Sequence, residues 1–179
     1  MARFRGRSLV IDASVAGAAG DREATPSREC SDFLEAFRGS KHRVAVSTPL
    51  LEEWQRHQTR FAGRWLRSMY ARRRVEAIEV EEDKSFRELL QQAVPRQRIA
   101  DILLKDAHLI EVALVADQRV ISLDEEARRQ FGRAALAVTV LRTICWVNPV
   151  RSAEQPIEWL HAGAPQEKHR MLDYVPPEN

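Results

Sequence analysis

Four acidic residues are spaced along the chain so that an α/β sheet would bring them together. They are Asp12, Glu53, Asp106 and Asp124. Asp12 and Asp124 each follow a short apolar run typical of a buried strand, whereas Glu53 and Asp106 lie in helical stretches. Ligands of open parallel sheets bind at the carboxyl ends of the strands, where crowded acids repel one another and resist losing water. Because a hard divalent cation bound by oxygen ligands relieves that cost, the pattern predicts a metal-dependent enzyme acting on phosphate.

Each acid also has a purely structural interpretation. Asp12 and Asp124 suit turns and helix N-caps. Asp106 interrupts the apolar face of its helix, so it lies at the rim of the core, pairs with a base, or belongs to a site. Glu53 borders the apolar face of its helix more closely than Glu52 and is the preferred fourth acid. Both glutamates also suit the first turn of a helix, where they complement the helix dipole.

Hydrophobic periodicity predicts strands that alternate with helices. The predicted strands are 8–12, 42–46, 119–123 and 138–147, the last in two short pieces. The predicted helices are 27–38, 48–73 with a break at Gly63, 84–94, 99–116, and 125–131 ending before Gly132. Residues 75–80 form either an edge strand or a connecting segment, and Asp101 and Glu111 are expected to be solvated. This alternation implies a parallel sheet with helices on both faces.

Composition narrows the class of protein. The 179 residues are enough for one domain with a real core, and the net charge of +2 does not by itself argue for nucleic acid. Cys30 and Cys145 make no disulfide framework, and no signal peptide is visible, so both are expected to be reduced thiols in a cytoplasmic protein. No apolar run is long enough to cross a bilayer, so no membrane association is expected.

Arginines recur at near-helical spacing after Glu53. They are Arg56, Arg60, Arg64 and Arg67, and Arg72, Arg73 and Arg74 extend the run. Such a row contacts phosphates of RNA or forms the solvated face of an amphipathic helix. The N-terminal Arg3, Arg5 and Arg7 offer a second RNA contact or a disordered basic end. The aromatic residues of the same stretch, Trp54, Phe61 and Trp65, fall on the opposite face and are predicted to be core.

Taken together, four short stretches resemble the PIN-domain family, with similarity to VapC-type toxins. They are Leu9-Val10-Ile11-Asp12-Ala13-Ser14, Ser47-Thr48-Pro49-Leu50-Leu51-Glu52-Glu53-Trp54, Lys105-Asp106-Ala107-His108-Leu109-Ile110 and Val120-Ile121-Ser122-Leu123-Asp124. Their order and spacing match the family over about residues 8–148. Ser122 stands where the family commonly has Thr, and the chain is longer than most free-standing PIN toxins because of the segment after Pro149.

The resemblance implies a three-layer α/β/α sandwich with a central, mainly parallel sheet. It divides the chain into a PIN-like domain, residues 1–149, and a C-terminal extension, residues 150–179, expected to be partly packed and partly frayed. It implies a ribonuclease that uses Mg²⁺ or Mn²⁺, with Asp12, Glu53, Asp106 and Asp124 as catalytic and metal-binding residues. Ser14 and Ser122 match small polar positions beside that site. The implied partners are RNA, an antitoxin protein and a second copy of the chain.

Two other functions remain open from the residues. One is a catalytically silent PIN-like module that binds RNA or protein. The other is a different metal phosphatase on a similar sheet, although the haloacid dehalogenase type would need an acid where Ser14 stands. The chain shows no Ser-His-Asp or Cys-His arrangement, no zinc-ligand spacing and no glycine-rich phosphate loop.

Overall fold

The computed structural model describes residues 6–176, which form an α/β fold with a parallel sheet between layers of helices. The strands are β1 (Ser8–Ile11), β2 (Arg43–Val46), β3 (Val75–Ala77), β4 (Arg119–Ile121) and β5 (Cys145–Val147). The helices are α1 (Ala13–Ala18), α2 (Ser27–Gly39), α3 (Thr48–His57), α4 (Arg60–Ala71), α5 (Lys84–Gln92), α6 (Gln97–Val115), α7 (Glu125–Ala134) and α8 (Pro156–His161). The predicted fold class, a three-layer α/β/α sandwich, is confirmed.

The strand order places one topological switch point in the middle of the sheet. The order is β3-β2-β1-β4-β5, so the chain winds outward from β1 in one direction and then returns to β4 on its other side. Val10 pairs with Val120 and Ile11 with Ile121, so β1 and β4 end at the same level. The crevice outside the carboxyl ends of such strands is where open α/β sheets bind ligands.

Tryptophans fix α3 against the sheet and α4 against α3. Trp54 and Trp65 are almost fully buried and stack with ring centroids 5.9 Å apart. The indole Nε1 of Trp54 donates a hydrogen bond to the carbonyl of Ile11 at 2.8 Å, which ties α3 to the end of β1. Phe61 packs against the core from a partly buried position. The prediction that these aromatic residues belong to the core, not to a base-stacking surface, is confirmed.

The predicted break at Gly63 is wrong. The chain leaves α3 at Gln58 and starts α4 with Thr59 as N-cap, whose hydroxyl accepts from the Ala62 amide at 3.1 Å. Gly63 is buried inside α4. A hydroxyl that satisfies a first-turn amide therefore sets the break, and the glycine does not.

Of the two alternatives for residues 75–80, the structure shows the edge strand, β3. Two further element boundaries differ from the sequence prediction. The first half of 138–147 is a 3₁₀ turn, Thr139–Thr143, followed by β5. Helix α7 continues through Gly132 to Ala134. A Cβ at Gly132 would lie 2.6 Å from the Leu172 carbonyl oxygen, so this glycine permits a close approach of backbone and does not end the helix.

Glu111 is buried, which corrects the expectation that it is solvated. Only 6% of it is exposed, and both of its carboxylate oxygens accept from the Arg87 guanidinium, at 2.9 and 3.0 Å. This bidentate pair joins α5 to α6. Asp101, one helical face away, is exposed as predicted. The helical periodicity of α6 alone did not predict that α5 covers this part of α6.

The segment after residue 150 packs against the domain. Helix α8 contacts α2, and the carbonyls that follow it accept hydrogen bonds from Arg7 (to Gly163) and Arg119 (to Ala164), each at 2.9 Å. Leu172 donates its amide to Ile144 beside β5. The predicted fraying falls partly on residues 177–179, which lie outside the described range. Within residues 6–176, no helix has the length and apolar character needed to cross a membrane.

Candidate active site

All four acids selected from the sequence line one pocket of about 390 Å³, hereafter the acid pocket. Its lining is Asp12, Ala13, Ser14, Gly17, Glu53, His57, Lys105, Asp106 and Asp124. The acids come from four separate elements: the ends of β1 and β4, helix α3 and helix α6. The pocket therefore lies at the switch point of the sheet.

Two serines orient Asp12. Its Oδ2 atom accepts hydrogen bonds from Ser14 Oγ at 2.5 Å and from Ser122 Oγ at 2.8 Å. The same hydroxyls accept from the chain that follows β4, Ser14 from the Leu123 amide and Ser122 from the Asp124 amide. This network fixes the end of β1 to the end of β4. Asp12 occupies the N-cap position of α1 but makes no side-chain cap, so its capping interpretation is wrong.

Asp124 has two roles. Its Oδ1 atom accepts from the Ala127 amide at 2.8 Å and caps α7, as the structural interpretation predicted. Its side chain also lines the acid pocket. Capping engages one carboxylate oxygen and holds the other at a fixed orientation. The structural and functional interpretations of Asp124 are thus compatible.

Asp106 is the acid of the pocket whose ionised form burial disfavours. Only 9% of it is exposed, and burial raises its pKa from 3.8 to about 6. The positive charge of Lys105 opposes this rise, and the nearby charges of Asp12 and Asp124 add to it. A carboxyl that resists ionisation beside two other acids is what a bound cation would stabilise in its charged form.

Of the two glutamates that compete for the fourth position, Glu53 lines the acid pocket and Glu52 is exposed. Glu53 Oε2 lies 3.2 Å from His108 Nε2, and His108 Nδ1 lies 3.1 Å from the Lys105 carbonyl oxygen. Both ring nitrogens of this buried histidine therefore face oxygen atoms. Because the Lys105 carbonyl only accepts, Nδ1 carries the proton of a neutral ring, and the approach of Nε2 to Glu53 is an ion pair only in the imidazolium form.

Sequence reasoning missed three residues of this region: Lys105, His57 and His108. Lys105 and His57 line the acid pocket, and His108 supports Glu53 from behind. Lys105 and His108 belong to the stretch that identified Asp106, so one turn of α6 contributes an acid, a cation and a supporting ring. Their proximity to Asp106 on that helix was the available signal.

The donor set suits a hard divalent cation. Among the described residues, hydrogen bonds engage one side-chain oxygen of Asp12, Oδ2, and one of Asp124, Oδ1. The second carboxylate oxygen of each of these two acids is therefore available to a ligand. The described side chains contain no cluster of three or more His, Cys, Asp or Glu already gathered around one point. Mg²⁺ commonly uses one or two carboxylates and completes its shell with water and substrate phosphate. Four carboxylates in one pocket fit that mode of binding better than a closed protein cage.

Three of the four predicted RNA-binding arginines line a second pocket. Arg60, Arg64 and Arg67 face a depression of about 360 Å³ at the corner between α3 and α4, hereafter the arginine pocket. Arg56 is exposed outside it. Arg74 is structural, since its guanidinium donates to the Phe37 and Arg38 carbonyls in the last turn of α2 and to the His42 carbonyl just before β2. Arg3 and Arg5 lie outside the described residues, and Arg7 holds Gly163.

A larger cavity, about 630 Å³, lies between α7 and the C-terminal segment. Its charges are mostly satisfied within its own wall, because Arg128 pairs with Glu154 at 2.5 Å and Arg151 pairs with Glu125 at 3.1 Å. It contains none of the four predicted acids. Volume alone therefore does not identify the site, and the chemistry favours the smaller acid pocket.

Comparison with protein-family models and with curated proteins found no match for this chain.

Proposed function

We propose that the protein is a metal-dependent ribonuclease that hydrolyses RNA phosphodiester bonds in the acid pocket. The observation that carries the proposal is that four acids from four elements line one pocket at the switch point of the sheet. Three of those elements also hold their acids by defined contacts: the serines at Asp12, the cap at Asp124 and His108 at Glu53.

Mg²⁺ or Mn²⁺, when bound, would activate water and stabilise the charge of the phosphate group under attack. Asp12 and Asp124 would hold the ion through the oxygens that the protein leaves free. Burial raises the pKa of Asp106 to about 6, and the cation would stabilise its charged form. Lys105 would place a positive charge beside the phosphate of the substrate. His108 would keep Glu53 turned toward the pocket.

The resemblance to PIN domains supports RNA as the substrate. The same resemblance suggests the toxin of a toxin–antitoxin pair, with an antitoxin protein and a second copy of the chain as partners. These partners belong to the proposal.

The test is cleavage of a fluorescently labelled RNA by the purified protein. The proposal predicts cleavage with Mn²⁺ or Mg²⁺, none with EDTA, and loss of activity by Asp12→Ala and Asp124→Ala in protein that remains folded. Asp101→Ala, which removes an exposed acid from the same helix as Asp106, is the matched control and should cleave normally. Activity that survives both pocket substitutions would place the chemistry elsewhere. RNA binding without cleavage, unchanged by Asp12→Ala, would favour the silent module.

A further inference from the structure

The arginine pocket concentrates positive charge that the described protein leaves unbalanced. Arg60, Arg64 and Arg67 lie one turn apart on α4, and none forms an ion pair with an acid of residues 6–176. Other arginines of the chain are paired, such as Arg87 with Glu111 and Arg128 with Glu154. Three unpaired like charges around one depression repel one another, and an anion between them would remove that repulsion.

The remaining lining of this pocket also favours an anion. Gln55 and Gln58 line it, and a side-chain amide can donate hydrogen bonds to an anion. Helix α4, 12 residues long, begins there at Thr59 and Arg60. Within the described residues, the Thr59 hydroxyl accepts a hydrogen bond from the Ala62 amide alone. The other first-turn amides of α4 remain as backbone donors at the positive end of the helix. Acids are absent from the described lining of the pocket.

The arginine pocket adjoins the acid pocket. His57, the last residue of α3, lines the acid pocket, and the next residues, Gln58 and Thr59, line the arginine pocket. Two residues of chain span at most about 7 Å. Successive phosphates of a nucleic-acid strand are a few ångströms apart along the strand axis, about 3.4 Å in a duplex. A strand with one phosphate in the acid pocket therefore reaches the arginine pocket within a few nucleotides.

We propose that the arginine pocket binds a phosphate of the same RNA strand whose scissile phosphate lies in the acid pocket. This inference rests on the proposed function and adds to it the path of the substrate, an RNA strand that extends past the cleavage point toward α4. Arg60, Arg64 and Arg67 act as phosphate-binding residues without sequence preference, and Arg56 contributes less because it lies outside the pocket.

The experiment measures RNA binding in EDTA, where no cleavage occurs. The fluorescence anisotropy of a labelled 12-nucleotide strand reports the binding at several salt concentrations. Arg60→Gln and Arg64→Gln, alone and combined, are compared with Arg43→Gln. Arg43 is an exposed arginine at the amino end of β2. It therefore lies at the end of the sheet opposite to Asp12, which follows the carboxyl end of β1. Each pocket substitution should lower the slope of log affinity against log salt by about 0.7, and the double variant should bind roughly tenfold more weakly. Arg43→Gln should bind as the unaltered protein does.

Unchanged binding by the double variant, or an equal loss with Arg43→Gln, overturns the proposal. The proposal is also overturned if inorganic phosphate displaces the RNA completely when its concentration equals that of the RNA phosphate groups. The pocket would then be a site for a free anion. Arginine-dependent binding of a glutamate-rich peptide, with RNA binding unaffected by the substitutions, overturns it in favour of a protein partner. Cleavage by the double variant at the normal rate, measured at RNA concentrations below the KM, overturns the proposed role of the arginine pocket and leaves the nuclease proposal standing. Arginine-dependent RNA binding by a protein that never cleaves supports the pocket and overturns the nuclease.

Discussion

His108 Nε2 lies 3.2 Å from Glu53 Oε2 and so joins α6 to α3 at the wall of the acid pocket. The histidine is 8% exposed, and its other ring nitrogen is held by the Lys105 carbonyl. When His108 is protonated, the contact is an ion pair that holds the Glu53 carboxylate, which then loses little conformational freedom on binding a cation. This contact makes the position of Glu53 dependent on a residue that does not line the pocket.

Replacing His108 should therefore weaken the metal site without removing a ligand. His108→Phe keeps the volume of the ring and removes both nitrogens, so the fold should persist while the Glu53 carboxylate becomes mobile. We expect the Mn²⁺ concentration that half-saturates RNA cleavage to rise about tenfold, as for other residues that orient metal ligands. His161→Gln, at an exposed histidine of α8, is the control. An unchanged metal requirement in His108→Phe would show that Glu53 needs no support.

Arg87→Leu should destabilise the protein strongly. The substitution leaves Glu111 buried without its bidentate partner, and breaking a buried pair from one side costs about 3 kcal/mol. Arg129→Leu removes an exposed arginine paired with Glu126 on α7 and should cost no more than about 0.5 kcal/mol. The free energy of unfolding in urea measures both. Equal losses would mean that the Arg87–Glu111 pair is no more important than a surface pair.

Asp106→Asn should stabilise the metal-free protein at pH 7.5. The pKa of Asp106 is raised from 3.8 to about 6, so above pH 6 the folded protein holds a charge that burial disfavours. Removing that charge should add on the order of 2 kcal/mol to the free energy of unfolding, after allowance for solvent screening. The gain should shrink as the pH falls from 6 toward 3.8, where the acid becomes protonated in both states. A substitution that destabilises at pH 7.5 and at pH 4.5 alike would contradict a strained carboxylate.

Stability should also depend on His42. This histidine is 1% exposed, its Nδ1 accepts the Arg7 amide, and its Nε2 lies 2.9 Å from the Leu160 carbonyl oxygen. Burial lowers its pKa below 6.5, with Arg74 and Arg7 as further causes. The stability that neutral His42 contributes is present above pH 6.5 and is lost as the pH falls below 6.5, because the unfolded chain takes up the proton first.

The pH series for His42 needs the Asp106→Asn background, since Asp106 contributes with the opposite sign in the same range. In that background the free energy of unfolding should fall between pH 7 and pH 5. In His42→Gln, which is less stable overall, this part of the slope should disappear. A slope that persists in His42→Gln would assign the pH dependence to other groups.

The sheet and the choice of acids were predictable because both depend on local pattern. Asp12 and Asp124 follow apolar runs that became β1 and β4, and helical phase favoured Glu53, which lines the acid pocket, over Glu52, which is exposed. Parallel strands that end at one level bring such residues together whatever the details of the loops. A periodic pattern was therefore sufficient for the main features of the acid pocket.

The errors concern residues whose environment is set by another element. Glu111 is buried only because α5 folds over α6, and Arg74 is structural only because α2 ends beside it. The break between α3 and α4 depends on one hydroxyl, that of Thr59. Lys105 lines the acid pocket through the packing of α6 on the sheet. Pairings of this kind depend on tertiary contacts, which helical phase in a single sequence does not encode.

Titration of Mn²⁺ into the purified protein at pH 7.5, monitored by calorimetry and by melting temperature, tests whether the acid pocket binds a divalent cation. We expect saturable binding and a melting temperature that rises with Mn²⁺ concentration, because an ion that binds only the folded state stabilises it by mass action. Asp12→Asn and Asp106→Asn should each abolish the rise, whereas the control Asp101→Asn should retain it. No binding at millimolar Mn²⁺, or an equal rise in all three variants, would contradict a metal site in the acid pocket.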